Sequence, residues 1–324
     1  MSCINHCNGR LPLRRLLRQC FLNKWCCMFR SALAALLLTA SAAVLALPFS
    51  SQSALVIDEA TGRVLLEKNS DRLSSIASLT KLMTAMVVLD AHPDMNEPIS
   101  IEQSDVDMLK HSSSRVPVGT TLPRRDVLQL ALMSSDNRAA ASLARTYPGG
   151  YGAFLQALQA KITALGMTRT VIEEPTGLSP NNQSTATDLI KMAVAAGDYP
   201  DIARITTDQR DLITINHRAT EYHNTNQFVG RKGWEILLSK TGYTMEAGRC
   251  LIMRMKSAGK NVVMVLLNAT PSGRNMDAWQ IQRFLTGVAI PQPNTRRSGR
   301  HVAKSAKGRP MKLVKAGRGA KRVS

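Results

Sequence analysis

Beyond residue 27 the chain has a single cysteine, Cys250, so once an export signal is removed no internal disulfide can form and the fold rests on its apolar core. His92, His111, His217, His223 and His301 make no H-E-x-x-H pair and join no paired-cysteine spacing, which argues against a metal site. There is no G-x-S-x-G string, no glycine-rich phosphate loop and no internal repeat. No cofactor is expected. Acidic residues are missing from both ends of the chain: residues 291–324 carry eleven Lys or Arg and residues 1–46 carry six, with no Asp or Glu in either. Removing those charges from the net +19 leaves +2 for residues 47–290. A nearly neutral body lacks the basic face that a nucleic-acid-binding fold needs, so no nucleic acid is expected as a partner.

The ends have their own reading. Met28-Phe29-Arg30 precedes an Ala- and Leu-rich run over residues 31–46 that closes on Val44-Leu45-Ala46, the pattern of a secretory signal with its cleavage site. The run is short and Ala-rich for a transmembrane anchor. Residues 1–27 hold five cysteines and four arginines; a start at Met28 accounts for them more simply than a functional segment, the alternative being a long basic lead. Three units are therefore expected: a signal over 1–46, one domain over 47–290, and a basic disordered tail over 291–324 whose like charges oppose ordering. Such a tail would be drawn to anionic envelope surfaces.

In the body, Ala54–Asp58 and Arg63–Lys68 flank a Gly62 turn and read as two strands. Helical patterns follow over 78–91, 123–146, 150–165 and 185–196, broken by loops such as Tyr147-Pro148-Gly149-Gly150. Strands return near 235–240, 250–256 and 261–268, and a final helix is expected from about Met276 to Val288. The Lys256 to Asn261 link reads as a hairpin turn, Cys250 as a small buried residue of a strand, and the His217 to His223 stretch as a solvated loop. Hairpin-linked strands around a helical block imply an α+β fold with one mainly antiparallel sheet.

Three strings occur in order along this scaffold: Ser78-Leu79-Thr80-Lys81, Ser135-Asp136-Asn137 and Lys240-Thr241-Gly242. Each alone has a bland reading, as a helix cap, a turn and a strand end. Second copies exist too, since Ser257 to Lys260 fits S-x-x-K and Ser179-Pro180-Asn181 fits S-x-N. Order and setting favour the first copies. Ser78 opens an apolar run free of Gly and Pro until Pro93, so it is expected at a helix start, with Lys81 one turn on. A lysine in an apolar helix must be paired or desolvated into a usable base. Together the strings describe acyl transfer: Ser78 as nucleophile, Lys81 as base, Ser135 and Lys240 as a proton relay, Asn137 for a substrate amide, and the Ser78 and Tyr243 N–H groups for the oxyanion. Lys240 would attract a substrate carboxylate and lower the Lys81 pKa.

With Glu174-Pro175-Thr176-Gly177-Leu178 and Lys240-Thr241-Gly242-Tyr243-Thr244, these segments resemble the low-molecular-mass penicillin-binding proteins of the serine D-Ala-D-Ala peptidase family, over roughly residues 50–290. The resemblance implies a β-lactamase/transpeptidase-like fold, peptidoglycan stem peptides as substrate, β-lactams as inhibitors, an acyl-enzyme on Ser78, and substrate contacts from Asn137, Lys240, Thr241, Gly242 and Tyr243. It also implies a periplasmic enzyme. D,D-carboxypeptidases of the family commonly carry an extra β domain and an amphipathic anchor, which the 34 residues after Ile290 do not resemble, favouring the endopeptidase branch. Carboxypeptidase action, and a non-hydrolysing penicillin- or wall-binding module, are the alternatives. A β-lactamase would want a deacylating Glu, and Glu173-Glu174 matches the peptidases instead.

Overall fold

The computed structural model describes residues 49–288; the expected signal and basic tail lie outside them. The strands are β1 Ser53–Asp58, β2 Val64–Lys68, β3 Ser74–Ser75, β4 Pro98–Ser100, β5 Thr121–Pro123, β6 Gln183–Ser184, β7 Arg210–Ile215, β8 Arg218–His223, β9 Glu235–Thr244, β10 Gly248–Ser257 and β11 Lys260–Ala269. The helices are α1 Thr80–Asp90, α2 Arg124–Met133, α3 Asn137–Arg145, α4 Gly150–Ala164, α5 Ala186–Ala196, α6 Pro200–Thr207 and α7 Gly273–Leu285. Five strands form one antiparallel sheet in the order β2-β1-β11-β10-β9. The fold is α+β, as the hairpin-linked strands imply.

Strand alternation divides the interior. Along β11, Val263, Val265 and Leu267 enter the cluster formed with α1 to α6, while Val262, Met264 and Leu266 enter a second cluster with Ala278 and Ile281 of α7. A sheet covered on both faces needs this period of two with apolar residues on either side. Helix α1 is buried at nine consecutive residues, Thr80 to Val88, and has no polar face. It is the central post of the helical block.

Several expectations need revision. Residues 123–146 form two helices, because Ser135 takes a left-handed φ of 62° and the Asp136 carboxylate caps α3 by accepting the Ala139 N–H at 3.0 Å. The stretch around His217 and His223 is a β-hairpin, with Asn216 and His217 in its turn at positive φ. Lys240-Thr241-Gly242 does not end its strand: β9 runs on to Thr244, and there is no bend at Gly242, which pairs with Cys250. The last helix begins at Gly273 and ends at Leu285. Helix α6 and the short pairs β3–β6 and β4–β5 are additional. The Ser257 to Lys260 segment is the β10–β11 turn.

Candidate active site

Ser78 lies in a 3-10 turn, Ala77–Leu79, that leads directly into α1. Ala77 before it has φ +47°, a left-handed conformation that costs a non-glycine residue about 1–2 kcal/mol and is held here by its surroundings. Two glycines make room for it. A Cβ on Gly177 would lie 1.9 Å from the Ala77 carbonyl oxygen, and one on Gly242 would lie 3.0 Å from the Ile76 carbonyl oxygen and 3.2 Å from the Ser78 nitrogen. Gly242 serves close backbone approach and not a turn.

Lys81, one turn along, is buried. Its Nζ is 3.0 Å from Ser78 Oγ, 2.7 Å from Asn137 Oδ1 and 2.6 Å from the Thr176 carbonyl oxygen. A neutral amine has two hydrogens and one lone pair. Asn137 Oδ1 and Thr176 O can only accept, so they take the two hydrogens and leave the lone pair facing the Ser78 hydroxyl. Burial pushes the Lys81 ammonium down from 10.5 to about 8, against the pull of the Glu174, Asp136 and Asp107 carboxylates. At 1.36 kcal/mol per unit that is about 3 kcal/mol of bias towards the neutral base. Lys81 and Lys240 disfavour each other's charged form, and the Lys81 charge is one cause of the lowered Lys240 pKa.

Lys240 is also buried, on the face of β9 shared with Leu238 and Gly242 that turns to the helical block. Its Nζ donates to Ser135 Oγ at 2.8 Å and to the Thr241 carbonyl oxygen at 3.0 Å. Its pKa lies well below the ordinary lysine value, through burial first and then the charges of Lys81 and Arg274. The left-handed Ser135 thus hands its hydroxyl to Lys240, while Asn137, at the first turn of α3, bridges Lys81 and Ser112 Oγ, the latter at 2.8 Å. Thr241 Oγ1 donates to Thr225 Oγ1 at 2.7 Å. Tyr243, the residue after the third string, is 56% exposed, with the Arg249 guanidinium 4.9 Å from its ring centre, and is open to an incoming molecule.

Three contributors lie outside the three strings. Arg274, at the start of α7, is 7% exposed and donates to the Cys250 carbonyl oxygen. With Arg249 and Lys240 it makes the far end of the cleft electropositive. The Thr176 carbonyl completes the Lys81 shell. Glu174 supports it: its carboxylate accepts from the backbone N–H groups of Thr176 at 2.7 Å and Gly177 at 2.6 Å, from Thr176 Oγ1 at 2.5 Å and from Asn182 Nδ2 at 2.9 Å. Both of its oxygens are engaged within the loop, and Glu173 is engaged by Ser179 and Asn181. Neither is a free base beside Ser78. The only hint was the E-P-T-G-L string itself.

A serine and a buried lysine of lowered pKa under one helix start, with a second lysine–serine pair across the cleft, define a serine acyl-transfer enzyme of the β-lactamase/transpeptidase-like class. The family profile for D-alanyl-D-alanine carboxypeptidases matches residues 39–271, and the chain belongs to that family. It is 46% identical over 248 residues to a D-alanyl-D-alanine endopeptidase of Pseudomonas aeruginosa, covering 75% of this chain and 80% of that protein. A D-alanyl-D-alanine endopeptidase of Escherichia coli K12 is 42% identical over 260 residues, covering 79% and 84%. Among solved structures, the Streptomyces K15 DD-transpeptidase is similar with a TM-score of 0.69 at 25% identity, over 74% of this chain and 98% of that one.

Proposed function

We propose that this protein is a serine D,D-endopeptidase that hydrolyses D-alanyl cross-links in peptidoglycan, and that the observation carrying this reading is the partner set of Lys81. Ser78 Oγ attacks the D-alanyl carbonyl carbon while its proton passes to Lys81 Nζ, whose other partners accept only. The oxyanion is met by the N–H groups of Ser78 and Tyr243. The proton that Lys81 took from Ser78 is passed through Ser135, which is linked to Lys240, to the departing amine nitrogen as the C–N bond breaks and the ester on Ser78 forms, leaving Lys81 neutral again. Water then adds to that ester with Lys81 as base, releasing the new carboxyl group and restoring the serine. Asn137 holds a substrate amide, and Thr241, Gly242 and Tyr243 offer the β9 edge to the peptide. The electropositive end formed by Lys240, Arg249 and Arg274 suits a carboxylate carried on the leaving amine.

That same carboxylate site supports the second reading, a D,D-carboxypeptidase releasing terminal D-Ala, because a chain terminus presents the same group. The endopeptidase reading is preferred on the relatives at 46% and 42% identity. Digestion of purified sacculi followed by separation of muropeptides distinguishes them: loss of cross-linked dimers supports the first, and shortened monomers with intact dimers support the second. A protein that takes up labelled penicillin and releases neither product is a binding module. We place the enzyme in the periplasm from the signal-like residues 31–46; among the described residues no helix is long and apolar enough to cross a membrane. The basic residues 291–324 are proposed to hold it to anionic envelope surfaces. Truncation after Ile290 should reduce binding to sacculi or anionic vesicles at low salt, and equal binding at every salt concentration removes that role.

A further inference from the structure

A groove of about 330 Å³ runs between α7 and the loop of residues 224–234 that follows β8, with Gln227, Phe228, Arg231, Asn275, Met276 and Trp279 among its walls. Both walls start at the catalytic cleft. The loop leaves it at Thr225, whose hydroxyl accepts from Thr241 Oγ1, and α7 leaves it at Arg274, whose Nε donates to Asn275 Oδ1 at 3.2 Å. Thr225 donates its N–H to the Met133 carbonyl oxygen in the helical block, while Phe228 joins the apolar cluster on the α7 side, so the loop passes around the β9 edge. The groove thus continues the cleft beyond its electropositive end. Its floor is apolar and fixed: Phe228 is buried and stacks on Trp234 with ring centres 4.1 Å apart. Met276 and Trp279 are 55% and 39% exposed. The Arg283 guanidinium lies 4.6 Å from the Trp279 ring centre and does not line the groove, so the indole turns another side to it. The rim is polar and uncommitted. Among the described residues, Gln227, Ser272 and the Arg231 guanidinium make no side-chain hydrogen bond, and no carboxylate lines the groove.

We infer that this groove is a second binding site, for an N-acetylated sugar of the glycan strand to which the scissile peptides are attached. The inference rests on the peptidase reading above and adds a ligand that the catalytic residues do not touch. A pyranose ring presents an apolar C–H face between rims of hydroxyl and acetamido groups. The indole and the Met276 thioether match the face, while the amide, hydroxyl and guanidinium of Gln227, Ser272 and Arg231 match the rim. The volume lies at the low end of ligand sites, about 300–1,000 Å³, and suits a single sugar. The basic segment 291–324 is a poor occupant, since Arg231 and Arg283 oppose its charge and no carboxylate lines the groove to hold it. A purely apolar peptide would cover the rim groups without pairing them. A sugar held here keeps the stem peptides of the same strand at high local concentration near Ser78.

The experiment uses the full chain with Trp279→Ala and Gln227→Ala variants. Calorimetric titration with the soluble tetramer of N-acetylglucosamine should show saturable binding, weakened about tenfold or more in Trp279→Ala and less in Gln227→Ala, with the Gln227→Ala melting temperature unchanged. Prior acylation of Ser78 by penicillin should leave that binding intact. Cross-linked peptides still attached to glycan chains should be cleaved with kcat/KM about tenfold above the same peptides stripped of sugar. Trp279→Ala should lose this preference while it cleaves the stripped peptides and takes up labelled penicillin at the parent rate. Lack of saturable binding by the parent chain overturns the site, as does binding undiminished in both variants or abolished by penicillin. Equal kcat/KM for the two peptides, or a Trp279→Ala variant that slows both equally, overturns it as well. If neither peptide is cut while the tetramer still binds as described, the peptidase reading fails and the sugar site stands.

Discussion

Gly177 packs so closely on Ala77 that a Cβ there would stand 1.9 Å from the Ala77 carbonyl oxygen, and Gly177 itself holds φ +85°. The loop that supplies the Thr176 carbonyl to Lys81 therefore also wedges the turn that presents Ser78. Gly177→Ala should cost about 2 kcal/mol or more through the left-handed backbone and the clash. Labelling by a β-lactam should fall further than the melting temperature alone explains. Normal labelling of the folded fraction would mean that the contact does not position Ser78.

Lys81 provides a pH test. Its pKa is lowered to about 8, so the neutral base is the minor form below that pH and grows about tenfold per unit as pH rises towards it. The second-order rate of acylation by a neutral-side-chain β-lactam should climb with pH and level off near 8. Lys81→Arg keeps the charge and cannot lose it, so acylation should be abolished with folding intact. A pH-independent rate between 6 and 8, or an active Lys81→Arg enzyme, would assign the proton transfer elsewhere.

Lys240 gives the opposite slope for binding. Burial and the nearby Lys81 and Arg274 charges hold its pKa low in the free enzyme, while a bound carboxylate favours its protonated form. Binding a carboxylate substrate then takes up a proton, so KM should rise as pH rises. A substrate with its terminal carboxylate amidated should lack this dependence. Identical pH profiles for acid and amide would remove Lys240 from carboxylate recognition, and Lys240→Ala should raise KM for the acid with little change in melting temperature.

Glu174 separates this site from a deacylating β-lactamase arrangement. Its carboxylate oxygens are filled by Thr176, Gly177 and Asn182. Glu174→Gln should loosen that loop and slow acylation, while the lifetime of the penicilloyl-enzyme changes little. Accumulation of a long-lived penicilloyl-enzyme at an unchanged acylation rate would assign Glu174 to deacylation.

The nucleophile has an internal control in its second copy. Ser78→Ala should lose all labelling and hydrolysis, whereas Ser257→Ala, at the β10–β11 turn, should retain both. Labelling that survives in Ser78→Ala would overturn the site.

What the sequence determined by itself was local: the short apolar runs of β1, β10 and β11, the apolar run of α1, the one-turn spacing of Ser78 and Lys81, and the order of the three strings. Each depends on the fixed periods of strand and helix, which a sequence carries directly. It misjudged breaks and continuations, missing the split between α2 and α3, the β7–β8 hairpin and the passage of β9 through Gly242, because backbone angles at Ser135 and strand pairing are chosen by neighbours. Tertiary structure alone decided the chemistry of Lys81. Its partners Asn137 and Thr176 lie 56 and 95 residues away, and Ser135 lies 105 residues from Lys240. The buried Arg274, the Glu174-anchored loop and the groove beside Trp279 belong to the same category. Burial and the positions of distant charges set a pKa, and packing fixes both only when the sheet, the helical block and the loops close around one another.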